Sequence, residues 1–227
     1  MKRWLLSLFL TVFGAFGATA QEAVLDLGGG STPFVVHSTT DIAILRPALE
    51  RFSALNPDIA LRYEQWNSNT LYARATADCA AKTGADAVFS SGVHQMVALV
   101  NAGCGAPYES AQTLGLAPTR RWRDELWGLT EEPAVIIYNR QQIAAEDIPK
   151  DRFAFLDMMR EDQGRLRGRI ATYDIEFSGL GYLFAYSDSL EATTFGSLLE
   201  GFARIEAVAT CCSTEIIDGV SSGQYLI

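Results

Sequence analysis

Hydrophobic positions along this chain recur in two rhythms, and the rhythms alternate. Phe34 to His37 is a short apolar run with strand character. Leu45, Ala48, Leu49 and Phe52 then fall at one-face helical spacing, with Thr40 or Asp41 as the cap. Pro47 places the start of the regular helix near itself, or a kink there, and Asn56-Pro57-Asp58 ends it. From Ile59 to Trp66 apolar and polar residues alternate, which is strand periodicity. Asn67-Ser68-Asn69-Thr70 opens a second helix to about Thr83, Asp86 to Ser90 reads as a short buried strand, and His94 to Asn101 as a third helix. Strand and helix taken in turn imply a parallel sheet covered on both sides.

The rhythm blurs between Gly103 and Leu129 and returns at Pro133 to Tyr138, an apolar run that predicts a strand entered through Glu131-Glu132. Beyond Asn139, Asp147-Ile148-Pro149 is a turn, Phe155 to Arg160 is helical, Ile170 to Tyr173 is a strand, and Ser178-Gly179 opens a helix through Tyr186. Thr193 to Val208 and Ile216 to Ser222 read as helices, and Tyr225-Leu226-Ile227 as strand-like, so that the chain looks cut within a strand. The two halves share the α/β pattern without an internal sequence repeat.

Three features of composition alter this picture. Residues 1–20 begin with Lys2 and Arg3, run uncharged from Trp4 to Phe16, and end in Ala18-Thr19-Ala20, the layout of a secretory leader cleaved after Ala20. Gln21 to Pro33 holds Gly28-Gly29-Gly30-Ser31 and few packing residues, and reads as a flexible mature N-terminus. With 18 Lys+Arg against 27 Asp+Glu the chain is acidic, which argues against nucleic acid or anionic lipid as a partner but leaves a local anion site open. The basic knot Arg120, Arg121 and Arg123 among Trp122 and Trp127 accordingly reads as a solvated face with Arg over Trp. In an oxidising compartment Cys79 pairs with Cys104, while the adjacent Cys211 and Cys212 either form a strained vicinal disulfide or stay as small apolar residues, the second being the favoured reading.

Candidate chemistry gathers at turns between strands and helices. Ser38-Thr39-Thr40, Ser90-Ser91, and Tyr173-Asp174 followed by Ser178-Gly179 lie at strand ends, and Ser68-Asn69 opens a helix in the same style. Helix N-termini carry unpaired N–H groups and a partial positive charge, and hydroxyls add donors, so turns of this kind at one sheet edge suit a small anion. Catalysis is less supported. Only His37 and His94 could act as near-neutral bases, and a hydrolase built on Ser90 or Ser91 with His94 lacks a placed acid and an oxyanion hole. No cofactor is expected.

Val36-His37-Ser38-Thr39-Thr40-Asp41, then Phe52 to Pro57, Ile59 to Tyr63, Ala85 to Ser91, and Glu132-Pro133 to Tyr138-Asn139 together resemble the periplasmic solute-binding proteins of ABC importers. Within these the pattern is similar to the ferric-iron and sugar-phosphate type. The resemblance implies a type II fold of two α/β lobes, 34–135 and 136–227, the second ending before the chain returns to the first. It also implies a non-catalytic monomer that carries a small solute to an ABC permease in the inner membrane. Ser38, Thr39, Thr40, Ser68, Asn69, Ser90 and Ser91 would then touch solute from the first lobe, and Tyr173, Asp174, Ser178 and Gly179 from the second. Iron binders of this type use an adjacent tyrosine pair, which would fall beyond Ile227. Two rival readings are a sensing partner of a membrane kinase, built on the same fold, and the secreted serine hydrolase.

Overall fold

The computed structural model describes residues 21–191 and 193–227, and the leader and its cleavage point lie outside them. The order is β1 (Gln21–Leu27), β2 (Thr32–Ser38), α1 (Ile42–Leu55), β3 (Ile59–Trp66), α2 (Ser68–Ala81), β4 (Ala87–Phe89) and α3 (Val93–Asn101). There follow α4 (Ala111–Leu114), a small hairpin of β5 (Arg121–Trp122) and β6 (Leu126–Trp127), α5 (Arg152–Glu161) and α6 (Gln163–Leu166). The chain continues with β7 (Ala171–Tyr173), α7 (Gly179–Glu191), α8 (Phe195–Arg204), β8 (Val208–Thr210) and α9 (Ser213–Ser222). No helix among the described residues is long and apolar enough to cross a membrane.

The first sheet runs β1-β3-β2-β4, with β2 parallel to both β3 and β4 and β1 antiparallel at the edge. Gln21–Leu27 is therefore a paired strand and not a flexible terminus. Val24, for example, lies opposite Glu64 of β3. The glycines that argued for flexibility serve a crossing. Gly28 to Gly30 carries the chain past the start of β3, where a Cβ on Gly28 would sit 2.5 Å from the Ile59 carbonyl oxygen and one on Gly30 would collide with the Asp58 backbone. Gly28 also sits at φ +77°, which glycine adopts without steric cost.

Other expectations shift for identifiable reasons. α1 begins at Ile42, ahead of Pro47, because the Ile42 N–H donates to Gln65 Oε1 and the amides of Ile44 and Leu45 donate to the Asp41 carbonyl. Pro47 is accommodated inside the helix. Pro133 to Tyr138 is extended but unpaired: among the described residues no strand lies beside it, and Val135 and Ile136 are exposed. The helix expected to reach Val208 stops at Arg204, and Val208–Thr210 instead pairs in parallel with β7. The last residues behave as the strand-like pattern foretold: Leu226 N–H donates to the Arg169 carbonyl, its own carbonyl accepts from Asn139 N–H, and Ala171 N–H donates to Ile227.

Two apolar clusters hold these layers. Trp66, Leu71, Met96 and Leu99 join β3, α2 and α3, with Cys104 and Leu126 against them. Ile143, Phe155, Leu156, Met159, Leu166, Ile170, Leu198, Ile205, Leu226 and Ile227 join α5, α6, α8 and β7 to the chain end. Cys79 and Cys104 are bridged, their Cα atoms 5.5 Å apart, tying the end of α2 to the segment after α3. The basic knot is neutralised: Arg120 pairs with Glu131, Arg121 with Asp124 and Arg123 with Glu125, and Arg123 lies 5.6 Å from the Trp122 ring centre.

Removing the Cys79–Cys104 bridge in a Cys79→Ser, Cys104→Ser variant is expected to lower stability by about 3 kcal/mol through the freed unfolded-state loop. A thermal midpoint lower by roughly 6 to 12 °C follows, and an unchanged midpoint in a thermal melt would contradict a structural role for the bridge.

Candidate functional site

The helices α2, α3 and α7 begin close to one another, and α7 belongs to the part of the chain built on the β7–β8 sheet. Asn67 caps α2 in the ordinary way, its Oδ1 accepting from the amides of Asn69 and Thr70 at 2.9 and 3.1 Å. That leaves the Ser68 hydroxyl free to act elsewhere, and its Oγ accepts from the Gly179 N–H at 2.7 Å, in buried surroundings. Ser178 caps α7 itself, its Oγ accepting from Gly181 N–H at 3.0 Å. Asp174 braces the approach to that cap by accepting from the amides of Glu176 and Phe177. A hydroxyl from α2 thus occupies the first free amide of α7.

Beside it runs a chain of amides. Asn69 donates through Nδ2 to the Glu176 carbonyl at 2.7 Å, which turns its Oδ1 toward Gln95, and Gln95 Nε2 donates to that oxygen at 2.8 Å. The orientation of Gln95 follows from these two bonds, so the atom it leaves over is an acceptor. Gln95 is 7% exposed, and its Oε1 is buried without a partner. A Cβ on Gly92, ahead of α3, would lie 2.6 Å from Oε1, and one on Gly179 would lie 2.8 Å from Nε2. Glycine at both positions lets the two helix starts close on this one side chain. Gln95 is absent from the residues predicted from sequence because a polar residue in the first turn of a helix carries no pattern of its own. The signal that could have found it is the glycine ahead of the helix, Gly92, matched by Gly179 as the first residue of another.

The predicted residues divide into three groups. Ser68, Asn69, Ser178 and Gly179 come together as just described. Ser38, Thr39, Thr40, Ser90 and Ser91 form a second cluster at the carboxyl edge of β2 and β4: Ser91 N–H donates to Thr39 Oγ1 at 3.1 Å, Thr39 N–H donates to the Phe89 carbonyl, and Ser90 Oγ accepts from Gly92 N–H. Within it Ser38 is fully buried, its Oγ accepting from Thr40 N–H, and it shapes the turn from inside. Tyr173 and Asp174 form the third group at the end of β7, where the Tyr173 hydroxyl pairs with Ser213 at 2.7 Å and Asp174 N–H donates to the Thr210 carbonyl. Thr214, next to Ser213, donates to Asp41 ahead of α1, a third bond between the two parts.

Neither histidine is placed as a base for these serines. His94 packs its ring 5.6 Å from that of Tyr182, and among the described residues neither Ser90 nor Ser91 is hydrogen-bonded to it. His37 is buried in β2 with Nε2 3.2 Å from Glu64. It borders a cavity of about 410 Å³ between the β3 face and α2, lined also by Arg62, Trp66 and Arg74. The cations there are already matched, Arg62 by Glu64 and Asp26 and Arg74 by Asp78, and none of the predicted contacts reaches it. Among the described residues one group has the donors for a metal, Cys211, Cys212 and Glu215. The two sulfurs are joined in a disulfide, contrary to the expectation of free thiols, because the chain bends at Cys211 and the strand alternation that would turn adjacent side chains apart has ended at Thr210.

No protein-family model matches the sequence, and no curated protein sequence does. Among solved structures, the substrate-binding protein of an ABC transporter from Agrobacterium tumefaciens superposes with a TM-score of 0.86 at 30% identity, over 90% of this chain and 62% of that one. The chain has the type II periplasmic binding fold. Two further structures share the fold alone. A protein of a signal-transducing two-component system matches at 13% identity and a TM-score of 0.56, over 86% of this chain and 62% of its own. Ferric iron-binding protein A of Mannheimia haemolytica, in an open conformation, matches at 16% and 0.53, over 86% of this chain and 60% of its own. The chain thus spans about three fifths of the length of the solved proteins it matches.

Burial holds the imidazoles of His37 and His94 below their ordinary value of 6.5, although Glu64 acts on His37 in the opposite sense. The folded chain therefore resists protonation that the unfolded chain accepts, so their contribution to stability is full above about pH 6.5 and is lost as the pH falls below it. Urea midpoints should drop between neutral pH and about pH 5, with a smaller drop in a His37→Asn, His94→Asn variant. A drop of the same size in the variant would contradict the assignment.

Proposed function

We propose that this chain is the periplasmic substrate-binding component of an ABC importer, which captures a small anionic solute between lobes 34–135 and 136–227 and presents it to a membrane permease. The observation that carries the reading is the meeting of α2, α3 and α7 at their N-termini. Three helix N-termini bring their partial positive charge to one place, which favours phosphate or carboxylate oxygens once the Ser68–Gly179 bond is given up. The likeness to the Agrobacterium protein over 90% of this chain supports the transport role.

Gln95 refines the kind of solute. Its unpartnered Oε1 accepts, so a solute that reaches it when the lobes part offers a hydroxyl or amino hydrogen beside its anionic group. Thr39, Thr40, Ser90 and Ser91 supply further polar contacts from the first lobe, and Tyr173 and Asp174 from the second. In the described state the two parts are joined at this point by few hydrogen bonds, Ser68 to Gly179, Asn69 to Glu176 and Thr214 to Asp41. Opening costs little on that count, and a solute with its own bonds to both lobes tips the balance toward closure. The protein works as a non-catalytic monomer in this reading.

A second reading has the same lobes sense a solute for a membrane kinase, and the likeness to a two-component protein favours it at the level of fold. Reconstitution separates the two, since only the first requires solute uptake by a permease that depends on this protein.

Thermal shift against a panel of phosphate esters, hydroxycarboxylates, sugars and ferric complexes tests the solute class, because a ligand stabilises by RT ln(1 + [L]/Kd). A hydroxylated anion should raise the midpoint, and Gln95→Ala should weaken that binding by about tenfold or more. Silence across the panel would remove the proposal, and a Gln95→Ala variant that binds as the parent does would remove Gln95 from it.

A further inference from the structure

We propose that Cys211, Cys212 and Glu215 form a redox-gated site for a thiophilic divalent cation. The two sulfurs and a carboxylate oxygen of Glu215 all lie within 4.8 Å of one another, and among the described residues no other group of three such donors exists. Local structure places them. β8 ends at Thr210, the chain bends at Cys211, and Cys212 occupies the N-cap position of α9 with extended backbone, φ −131° and ψ 139°. Glu215 is the third residue of α9, where a side chain naturally reaches back over the cap.

Chemistry favours this group only in one oxidation state. As a disulfide the sulfurs offer no thiolate. A dithiol reductant, such as a thioredoxin-like protein, transfers two electrons. The Cys211–Cys212 bond breaks, a disulfide forms in the reductant, and two thiols remain on the chain. A divalent cation then replaces both thiol protons, which pass to solvent, and binds two thiolates and the ionised carboxylate, with water at a fourth position. The partial positive charge at the start of α9 favours the thiolates further. Thiolate ligands select zinc-like and softer cations over magnesium or calcium.

The second cysteine pair is set up for a different task. Cys104 packs against the core cluster of Trp66, Leu71, Met96 and Leu99, whereas Cys211 and Cys212 adjoin the exposed residues Ser213, Thr214 and Glu215. A reductant should therefore reach Cys211–Cys212 first. The site also neighbours a joint between the two parts of the fold, since Thr214 donates to Asp41. Occupation by a metal would act on that joint.

Cadmium ion is the probe. After mild treatment with dithiothreitol and removal of the reductant, the protein should take up one Cd²⁺ per chain with a thiolate charge-transfer band in the ultraviolet, while untreated protein shows none. Cys211→Ser, Cys212→Ser should abolish the band, and Glu215→Gln should weaken binding by about tenfold. Reduced wild-type protein alkylated at Cys211 and Cys212 should also lose the band, which covers a double variant that fails to fold. The proposal is overturned by absence of the band in reduced wild type, by its persistence in the double variant or alkylated protein, or by Glu215→Gln binding as tightly. Mass spectrometry of alkylated peptides showing that Cys79–Cys104 opens first would also overturn it.

Discussion

The first free amide of α7 is buried, and a buried amide without an acceptor costs about 1 to 3 kcal/mol. Everything at the site follows from how that cost is avoided. Ser68, on a helix built over the other sheet, brings its hydroxyl to Gly179 at 2.7 Å. The bond requires close approach of two helix starts, and Gly179 and Gly92 leave room for the Gln95 side chain beside them. Neither part of the fold completes this arrangement alone.

In the transport reading proposed above, a lasting closure would prevent release of the solute. The bond from Ser68 is suited to an exchangeable joint because a hydroxyl is a modest acceptor that water or a solute oxygen can replace at the same N–H. Asn69 and Gln95 behave otherwise. Their mutual bond lies within the first sheet's helices, and only the Asn69 bond to the Glu176 carbonyl crosses to the other part. In the opening proposed above, that carbonyl would return to solvent while Asn69 and Gln95 keep each other oriented, with Oε1 on one wall and the amides of α7 on the other.

The sequence made the alternation of β2 to α3 legible because each element there carries a clean rhythm and a polar turn at its end. β3 is matched residue for residue, and the hydroxyl-rich openings of α2 and α7 are where these two helices meet. Failures share a cause. Gln21–Leu27 and Val208–Thr210 become strands only because a neighbour supplies the hydrogen bonds, whereas Pro133 to Tyr138 has strand composition and no neighbour among the described residues. A strand is a property of two segments, and one segment's pattern cannot announce its partner. Gln95 escaped for a related reason, since its role depends on Asn69 and Glu176, 26 and 81 positions away.

The same dependence on distant partners explains why Ser38 and Ser178, equally plausible contacts from sequence, differ in what they can offer. Ser38 is fully buried, and its hydroxyl accepts from Thr40 N–H within its own turn, next to the Tyr63 hydroxyl that donates to the Thr40 carbonyl. That knot fixes the direction in which Thr39 and Thr40 leave the sheet. Ser178 is also buried and also caps its own turn, but the amide that follows it, Gly179, bonds out of its element altogether. A cap that satisfies one amide and releases the next toward a neighbour lets a helix end join another element, and that distinction separates residues that shape a single turn from those that connect two parts of the fold.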